Sequence, residues 1–176
     1  VAYRAGGHDG RTTFTVRQDG WIGVAPSWRF DISPLAVVEL VVRGSMRFAV
    51  NGFEVDKRQV SVDGADADPL ASVPLLVFSP GLYSVDVDTA ISASAGVRVL
   101  ADAPLTGVPV DIQAEPTEEF VSVVQERVED FLTACATQEV LQPTGCPFGL
   151  TVRNRIEGAP DWSITQQPSV TVVPDG

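Results

Sequence analysis

The stretch Phe48-Ala49-Val50-Asn51-Gly52-Phe53-Glu54-Val55 decides the fold class, because it places the dipeptide Asn-Gly between two short segments rich in apolar residues. Both central positions of a type I′ turn need a positive φ, which asparagine and glycine adopt most readily. The stretch therefore predicts a β-hairpin, and no other part of the chain predicts one as strongly.

Segments of the same kind recur on both sides of this hairpin. From about residue 11 to residue 112, short runs rich in valine, isoleucine and phenylalanine alternate with clusters of Gly, Pro, Asp and Ser. The runs recur roughly every 8 to 12 residues, a spacing typical of an antiparallel β-sandwich or barrel. We expect about eight to ten strands here. The predicted strands are 12–16, 35–42, 48–55, 73–78, 82–87, 97–100 and 108–112.

One later segment has the period of a helix instead. Its apolar residues recur every three or four positions and so share one helical face: Phe120, Val124, Val128, Phe131 and Cys135. This spacing predicts a helix over 116–137. Residues 150–156, 162–165 and 169–173 have strand character again.

The chain is therefore expected to be mainly β, in two parts. Residues 1–112 are predicted to form an antiparallel sandwich or barrel-like β-rich domain. Residues 113–176 are predicted to form a smaller α+β part with one long helix. Because the sequence begins without methionine and stops at the turn-like residues 174–176, we expect it to be an excised, truncated fragment.

The net charge of the chain argues against binding to nucleic acid and to anionic membranes. The chain carries 23 acidic and 12 basic residues and a net charge of -11, which repels nucleic acid and anionic membrane surfaces. Eleven of the basic residues are arginine, as expected from a GC-rich bacterial genome. No apolar run approaches the roughly 20 residues that cross a bilayer, so any membrane anchor would lie outside this sequence.

Two cysteines, Cys135 and Cys146, follow the helical stripe and a Pro-Thr-Gly turn. The turn can bring the chain back against the helix end, so a disulfide is the favoured interpretation, and it indicates an extracytoplasmic compartment. Two buried free thiols in a cytosolic protein are the alternative. No CxxC motif or nearby histidine completes a zinc site, so we predict no metal and no other cofactor.

The residues of common catalytic sites are missing. His8, the single histidine, lies in a glycine-rich stretch that is predicted to be a flexible, solvated terminus, and no GxSxG elbow is present. Asp63, Asp66 and Asp68 share one loop without the spacing of an EF-hand, so a solvated acidic turn is favoured over a calcium site. We predict no catalytic residues and no enzymatic activity.

An aromatic cluster remains as the candidate binding site: Trp21, Trp28, Arg29 and Phe30. Residues 21–24 and 27–30 are expected to flank a turn at Pro26. Tryptophan and arginine are enriched where proteins recognise partners. Filling of the core from one face of a hairpin is the commoner use of such residues.

Two resemblances add to this interpretation. The stretch 48–55, followed after an acidic loop by Leu75-Leu76-Val77-Phe78-Ser79-Pro80-Gly81-Leu82-Tyr83-Ser84-Val85, resembles the two halves of PEGA-like surface β-modules. Residues 130–135 and 141–149, with both cysteines and the Pro-Thr-Gly turn, are similar to ectodomains of uncharacterised membrane-anchored actinobacterial proteins. The resemblance implies a domain outside the cytoplasmic membrane, and it implies no activity.

Three functions remain open from the sequence. The leading hypothesis is a non-enzymatic cell-envelope domain that binds a protein or wall polymer, or that acts as a spacer. The second is a small-molecule-binding domain with a pocket lined by Phe120, Val124 and Phe131. The third is a hydrolase that uses two of the 23 carboxylates.

Overall fold

The structure, a computed structural model, describes residues 1–174. It divides into two compact units, one of Val1–Glu115 with Pro174 and one of Pro116–Val173. In chain order the elements are β1 (Ala2–Ala5), β2 (His8–Arg11), β3 (Val16–Ile22), β4 (Ala25–Phe30), β5 (Leu35–Arg43), β6 (Arg47–Val50), β7 (Phe53–Asp56), α1 (Lys57–Val60), β8 (Val73–Phe78), β9 (Gly81–Asp86), β10 (Ser92–Ala93), β11 (Val97–Ala101), β12 (Gly107–Gln113), β13 (Glu115–Pro116) and α2 (Glu118–Ala136). The predicted fold class is confirmed: the chain is mainly β, with several antiparallel sheets and one long helix.

Two sheets enclose the core of the first unit. One has the strand order β11-β9-β6-β7 and the other the order β12-β5-β8. All strand pairs in them are antiparallel except β5 with β12, which run parallel. Buried side chains from both sheets join one apolar cluster, so the sheets form a sandwich.

Strand β5 shows why the sandwich forms. Its residues alternate between buried and less buried positions, and Ala36, Val38, Leu40 and Val42 are at most 2% exposed. Side chains along a strand point to opposite faces in turn, so these four residues fill the layer between the sheets. Glu39, at the centre of the other face, is exposed.

The predicted Asn-Gly hairpin is confirmed. Strands β6 and β7 pair antiparallel, with Val50 opposite Phe53, and the turn residues Asn51 and Gly52 have φ angles of 51° and 77°. The Asn51 Oδ1 accepts a hydrogen bond of 2.8 Å from the backbone N–H of Ser84 in β9. The turn residue therefore also ties the hairpin to its neighbouring strand.

The predicted helix is confirmed as α2. Thr117 Oγ1 accepts a hydrogen bond of 3.2 Å from the Phe120 N–H, which caps the helix start. Glu118 and Glu119 occupy the first turn, where the positive end of the helix dipole favours carboxylates.

The strands predicted after the helix are not present. Between Thr137 and Pro174, the last described residue, the chain contains no strand. The strand character predicted for 150–156, 162–165 and 169–173 is therefore wrong. Gln125 of α2 gives a physical reason. Its side chain donates to the Pro168 carbonyl at 2.9 Å and accepts from the Val170 N–H at 2.8 Å. The backbone groups of residues 168 and 170 thus form their hydrogen bonds with a side chain of the helix and not with a second strand.

Three predictions in the first 30 residues are also wrong. Residues 12–15 are not a strand, since β3 begins at Val16. The expected flexible terminus is the hairpin β1–β2, whose turn contains Gly6 and Gly7 at φ angles of 54° and 85°. Pro26 lies within β4 and not in a turn, because the chain reverses before it, at residues 23–24.

Candidate binding hairpin

Strands β3 and β4 form a two-stranded sheet of their own, which we call the aromatic hairpin. Their pairing shifts between Gln18 and Trp21, where one extra residue makes a β-bulge and Gly20 has a φ angle of 87°. Nearly every residue of both strands is exposed. The hairpin therefore buries little of its own surface.

The register places the large aromatic residues on one face. Val16 is opposite Phe30, Gln18 is opposite Trp28, and Trp21 is opposite Pro26. Directly opposed residues share a face, and so do residues two apart on one strand. Trp21, Trp28, Phe30 and Val16 therefore lie together, and we call this set the aromatic face.

The aromatic face is open to solvent. Trp21, Trp28 and Phe30 are 66%, 59% and 51% exposed. The core-filling interpretation of the cluster is therefore wrong. Contiguous exposed apolar surface on a folded domain is unusual and typically marks a site of interaction.

Two apolar residues at the tip of the hairpin were not identified from the sequence. Ile22, the last residue of β3, is 76% exposed, and Val24, in the turn, is 97% exposed. The expected turn at Pro26 placed them before the turn and not at the tip of the hairpin.

The fourth predicted binding residue, Arg29, lies on the opposite face. It is paired in register with Arg17, away from the tryptophans. Arg29 forms an ion pair with Asp19 at 3.4 Å, and Arg17 forms one with Asp31 at 3.4 Å. The hairpin with Asp31, which directly follows β4, holds two arginines and two aspartates as its charged residues, so residues 16–31 are neutral in a chain of net charge -11.

The base of the hairpin is anchored. The ring of Phe30 meets that of Phe14 edge to face, with centroids 5.6 Å apart. The Asp31 N–H donates to the Thr15 carbonyl at 2.9 Å. These contacts, made by the two residues that precede β3, close the base of the hairpin.

The predicted disulfide between Cys135 and Cys146 is confirmed, with an S–S distance of 2.08 Å and a Cα–Cα distance of 5.8 Å. Cys135 is buried at the end of α2. Gln138 holds the intervening turn, because its Oε1 accepts a hydrogen bond of 2.9 Å from the Thr144 N–H. None of the helices in residues 1–174 combines the length and apolar character needed to span a membrane.

The acidic loop is solvated. Asp63, Asp66 and Asp68 are exposed, with a 3-10 turn at Gly64–Asp66 between the first and the last of them. Asp68 Oδ1 accepts a hydrogen bond of 2.8 Å from the Leu70 N–H. Among residues 1–174, no group of three or more His, Cys, Asp or Glu side chains is arranged to hold a metal ion.

Two other sequence hypotheses find little support in the geometry. Phe131 is 50% exposed, and Phe120 and Val124 are half-buried. Glu54, Asp86 and Asp88 line a cleft of about 260 Å³. That volume lies below the usual range of ligand pockets, roughly 300–1,000 Å³.

A cluster of charges at the start of α1 was not foreseen. Asp56 caps this short helix by accepting from the Arg58 N–H at 3.0 Å. Its two carboxylate oxygens also accept from Arg58 Nε and Nη2 at 2.9 and 2.6 Å. The side-chain hydrogen bonds from Arg58, its backbone N–H and the charges of Arg58 and Arg47 together lower the pKa of Asp56 to about 2.

Comparison of the chain with known protein families, curated proteins and solved structures finds no match. Its function is therefore inferred from its own residues.

Proposed function

We propose that this chain is a non-enzymatic extracytoplasmic domain of the bacterial cell envelope that binds a wall polymer or protein through the aromatic face. The observation that carries the proposal is the exposure of Trp21, Trp28 and Phe30 on one side of a hairpin. Such residues dominate binding energies at recognition surfaces because they bury a large area with few rotatable bonds.

The location rests on the cysteines. Disulfides form and persist in oxidising compartments, and the Cys135–Cys146 bond is present. The resemblance of residues 130–149 to membrane-anchored actinobacterial ectodomains agrees with this compartment. An anchor outside this sequence would then hold the domain at the cell surface.

Charge favours a neutral ligand. The aromatic hairpin together with Asp31 has no net charge, whereas the chain as a whole carries -11 and repels polyanions. Sugar rings present faces of C–H groups that stack on indole rings, whose faces are apolar and electron-rich. Among envelope components, the uncharged glycan strands of the wall therefore fit the aromatic face better than its anionic polymers.

Co-sedimentation with purified insoluble cell walls of an actinobacterium tests the proposal. The wild-type protein is expected to sediment with the walls, and the double variant Trp21→Ala/Trp28→Ala should bind at least about tenfold more weakly. Phe53→Ala is the matched control, since Phe53 is 77% exposed but belongs to β7 outside the hairpin.

The result also separates the versions of the proposal. Wild-type protein that stays in solution would exclude the wall polymer and leave a protein partner or a spacer role. Equal sedimentation of the wild type and the double variant would show that the aromatic face does not carry the binding.

A further inference from the structure

A cavity of about 770 Å³ lies in the first unit, away from the aromatic hairpin. It is bounded by residues 44–47, by residues 68–70 after α1 and by residues 89–92. Its volume is within the range of small-molecule sites. Neither the disulfide nor the hairpin contributes a residue to it.

The cavity has apolar walls. Met46, Leu70 and Ile91 line it, and Leu70 and Ile91 are 44% and 58% exposed. The hydroxyl groups of the lining already have partners. Thr89 and Ser92 are hydrogen-bonded to each other, and Ser45 donates to the Arg47 carbonyl at 2.8 Å. A ligand therefore meets apolar surface and the charged groups at the rim.

Two guanidinium groups supply the positive charge of the rim. Arg58 uses Nε and Nη2 to bind Asp56, which leaves the other three N–H groups of its fork for a further acceptor. Arg47 lies 3.7 Å from Glu54 and 3.8 Å from the Asp56 Oδ2, beyond hydrogen-bond distance. Its side chain can therefore turn to a ligand without losing a strong bond.

The two arginines converge on the same point. Arg58 Nη2 lies 2.6 Å and Arg47 Nε 3.8 Å from one atom, Asp56 Oδ2. The lining has one carboxylate, Asp68, which accepts a hydrogen bond from its own loop at Leu70. Asp56 and Glu54, which pair with the two arginines, lie outside the lining, so a ligand meets the unused N–H groups of Arg58 and the weakly held guanidinium of Arg47.

A buried lysine holds one wall in place. Lys57 is 1% exposed, and its Nζ donates to the carbonyl of Pro69, a residue that lines the cavity. This bond ties the acidic loop to the end of β7, so the wall is preorganised before any ligand arrives.

We propose that this cavity binds a free small organic anion, a carboxylate attached to an apolar body, independently of the aromatic hairpin. The carboxylate lies against Arg47 and Arg58, where charge-assisted hydrogen bonds are strongest. The apolar body packs on Leu70 and Ile91.

Titration of the ¹⁵N-labelled protein with octanoate, followed by chemical shifts, tests this site. Saturable shifts are expected at residues 44–47, 68, 70 and 89–92, with a Kd of about 1 mM or below for ten heavy atoms. Acetate lacks the apolar body and octylammonium lacks the negative charge, so neither should reproduce these shifts. Absence of saturable shifts with octanoate, or equal shifts with octylammonium, would overturn the proposal.

Substitutions sharpen the test. Arg47→Gln should raise the Kd for octanoate at least about tenfold, while Arg29→Gln on the hairpin should leave it unchanged. Arg47 has only long ion pairs to lose, so the variant is expected to fold. Unchanged binding by Arg47→Gln would refute the site. If an N-terminally blocked tripeptide ending in a leucine carboxylate bound more tightly than octanoate, the proposal that the ligand is a free small molecule would be overturned.

Discussion

Strand β5 and the aromatic hairpin each place large apolar side chains on one face of a strand, and they use that face in opposite ways. In β5, valines and Leu40 alternate into a layer closed by a second sheet. In the hairpin, Trp21, Trp28 and Ile22 belong to a separate two-stranded sheet and stay exposed. The difference shows that strand-forming residues specify a strand. Whether the side chains of that strand are buried or exposed depends on the surface that packs against them.

The largest test of this comparison is Leu40→Ala. Leu40 is fully buried, so truncation should cost about 3 kcal/mol of unfolding free energy, from lost burial and from the cavity left behind. Urea denaturation followed by circular dichroism measures it. A loss below about 1 kcal/mol would mean that the layer between the sheets is loosely packed.

The second test concerns the crosslink. Replacing both Cys135 and Cys146 with serine opens a loop of sequence separation 11, for which the chain-entropy estimate is about 2–3 kcal/mol. Hydrogen exchange of the α2 amides is expected to accelerate accordingly. Unchanged protection would show that packing and the Gln125 contacts hold the helix without the disulfide.

The third test uses pH. The pKa of Asp56 is about 2 in the folded protein, below its usual value of 3.8. The folded state therefore binds fewer protons than the unfolded state between these values. The resulting stability is complete above about pH 4 and is lost as the pH falls through about 2.

Asp56→Asn should accordingly be less stable than the wild type at about pH 5, with the difference shrinking toward pH 2. Urea denaturation at several pH values measures the difference. Arg58→Gln, which removes the side-chain hydrogen bonds that Arg58 donates to Asp56, should weaken the pH dependence as well. A difference that stays constant with pH would contradict the assigned ion pairs.

The smallest effect is expected in the hairpin. Trp28→Ala should change the global unfolding free energy by less than about 0.5 kcal/mol, because Trp28 is mostly exposed. The same denaturation experiment measures it. A loss above about 2 kcal/mol would place Trp28 in a core and remove the basis for an aromatic binding face.

Local chemistry made much of the fold predictable. Asn51 and Gly52 need positive φ angles, and the spacing from Phe120 to Cys135 fits only a helix, so both elements could be placed from sequence. The segments after α2 could not, because their apolar residues resemble strands. Their contacts with Gln125 come from another element and leave no local pattern.

The candidate sites divide in the same way. Trp21, Trp28 and Phe30 were identifiable as a group by residue type, but their exposure depends on their place in a separate two-stranded sheet. The pairing of Arg47 with Asp56 and Glu54 depends on register across β6 and β7. The two-residue Asn51-Gly52 turn fixes that register, whereas the return of Arg58 onto Asp56 depends on α1 and was not predictable in this way.

Lys57 gives the chain a built-in chemical reporter. It is the single lysine among the 176 residues, and burial, which also lowers its pKa, keeps its amine away from solvent. An acylating reagent can reach this ε-amine only when the bond to the Pro69 carbonyl breaks and the acidic loop lifts. The rate at which the Lys57 amine is acylated therefore measures how often the contact between Lys57 and Pro69 opens.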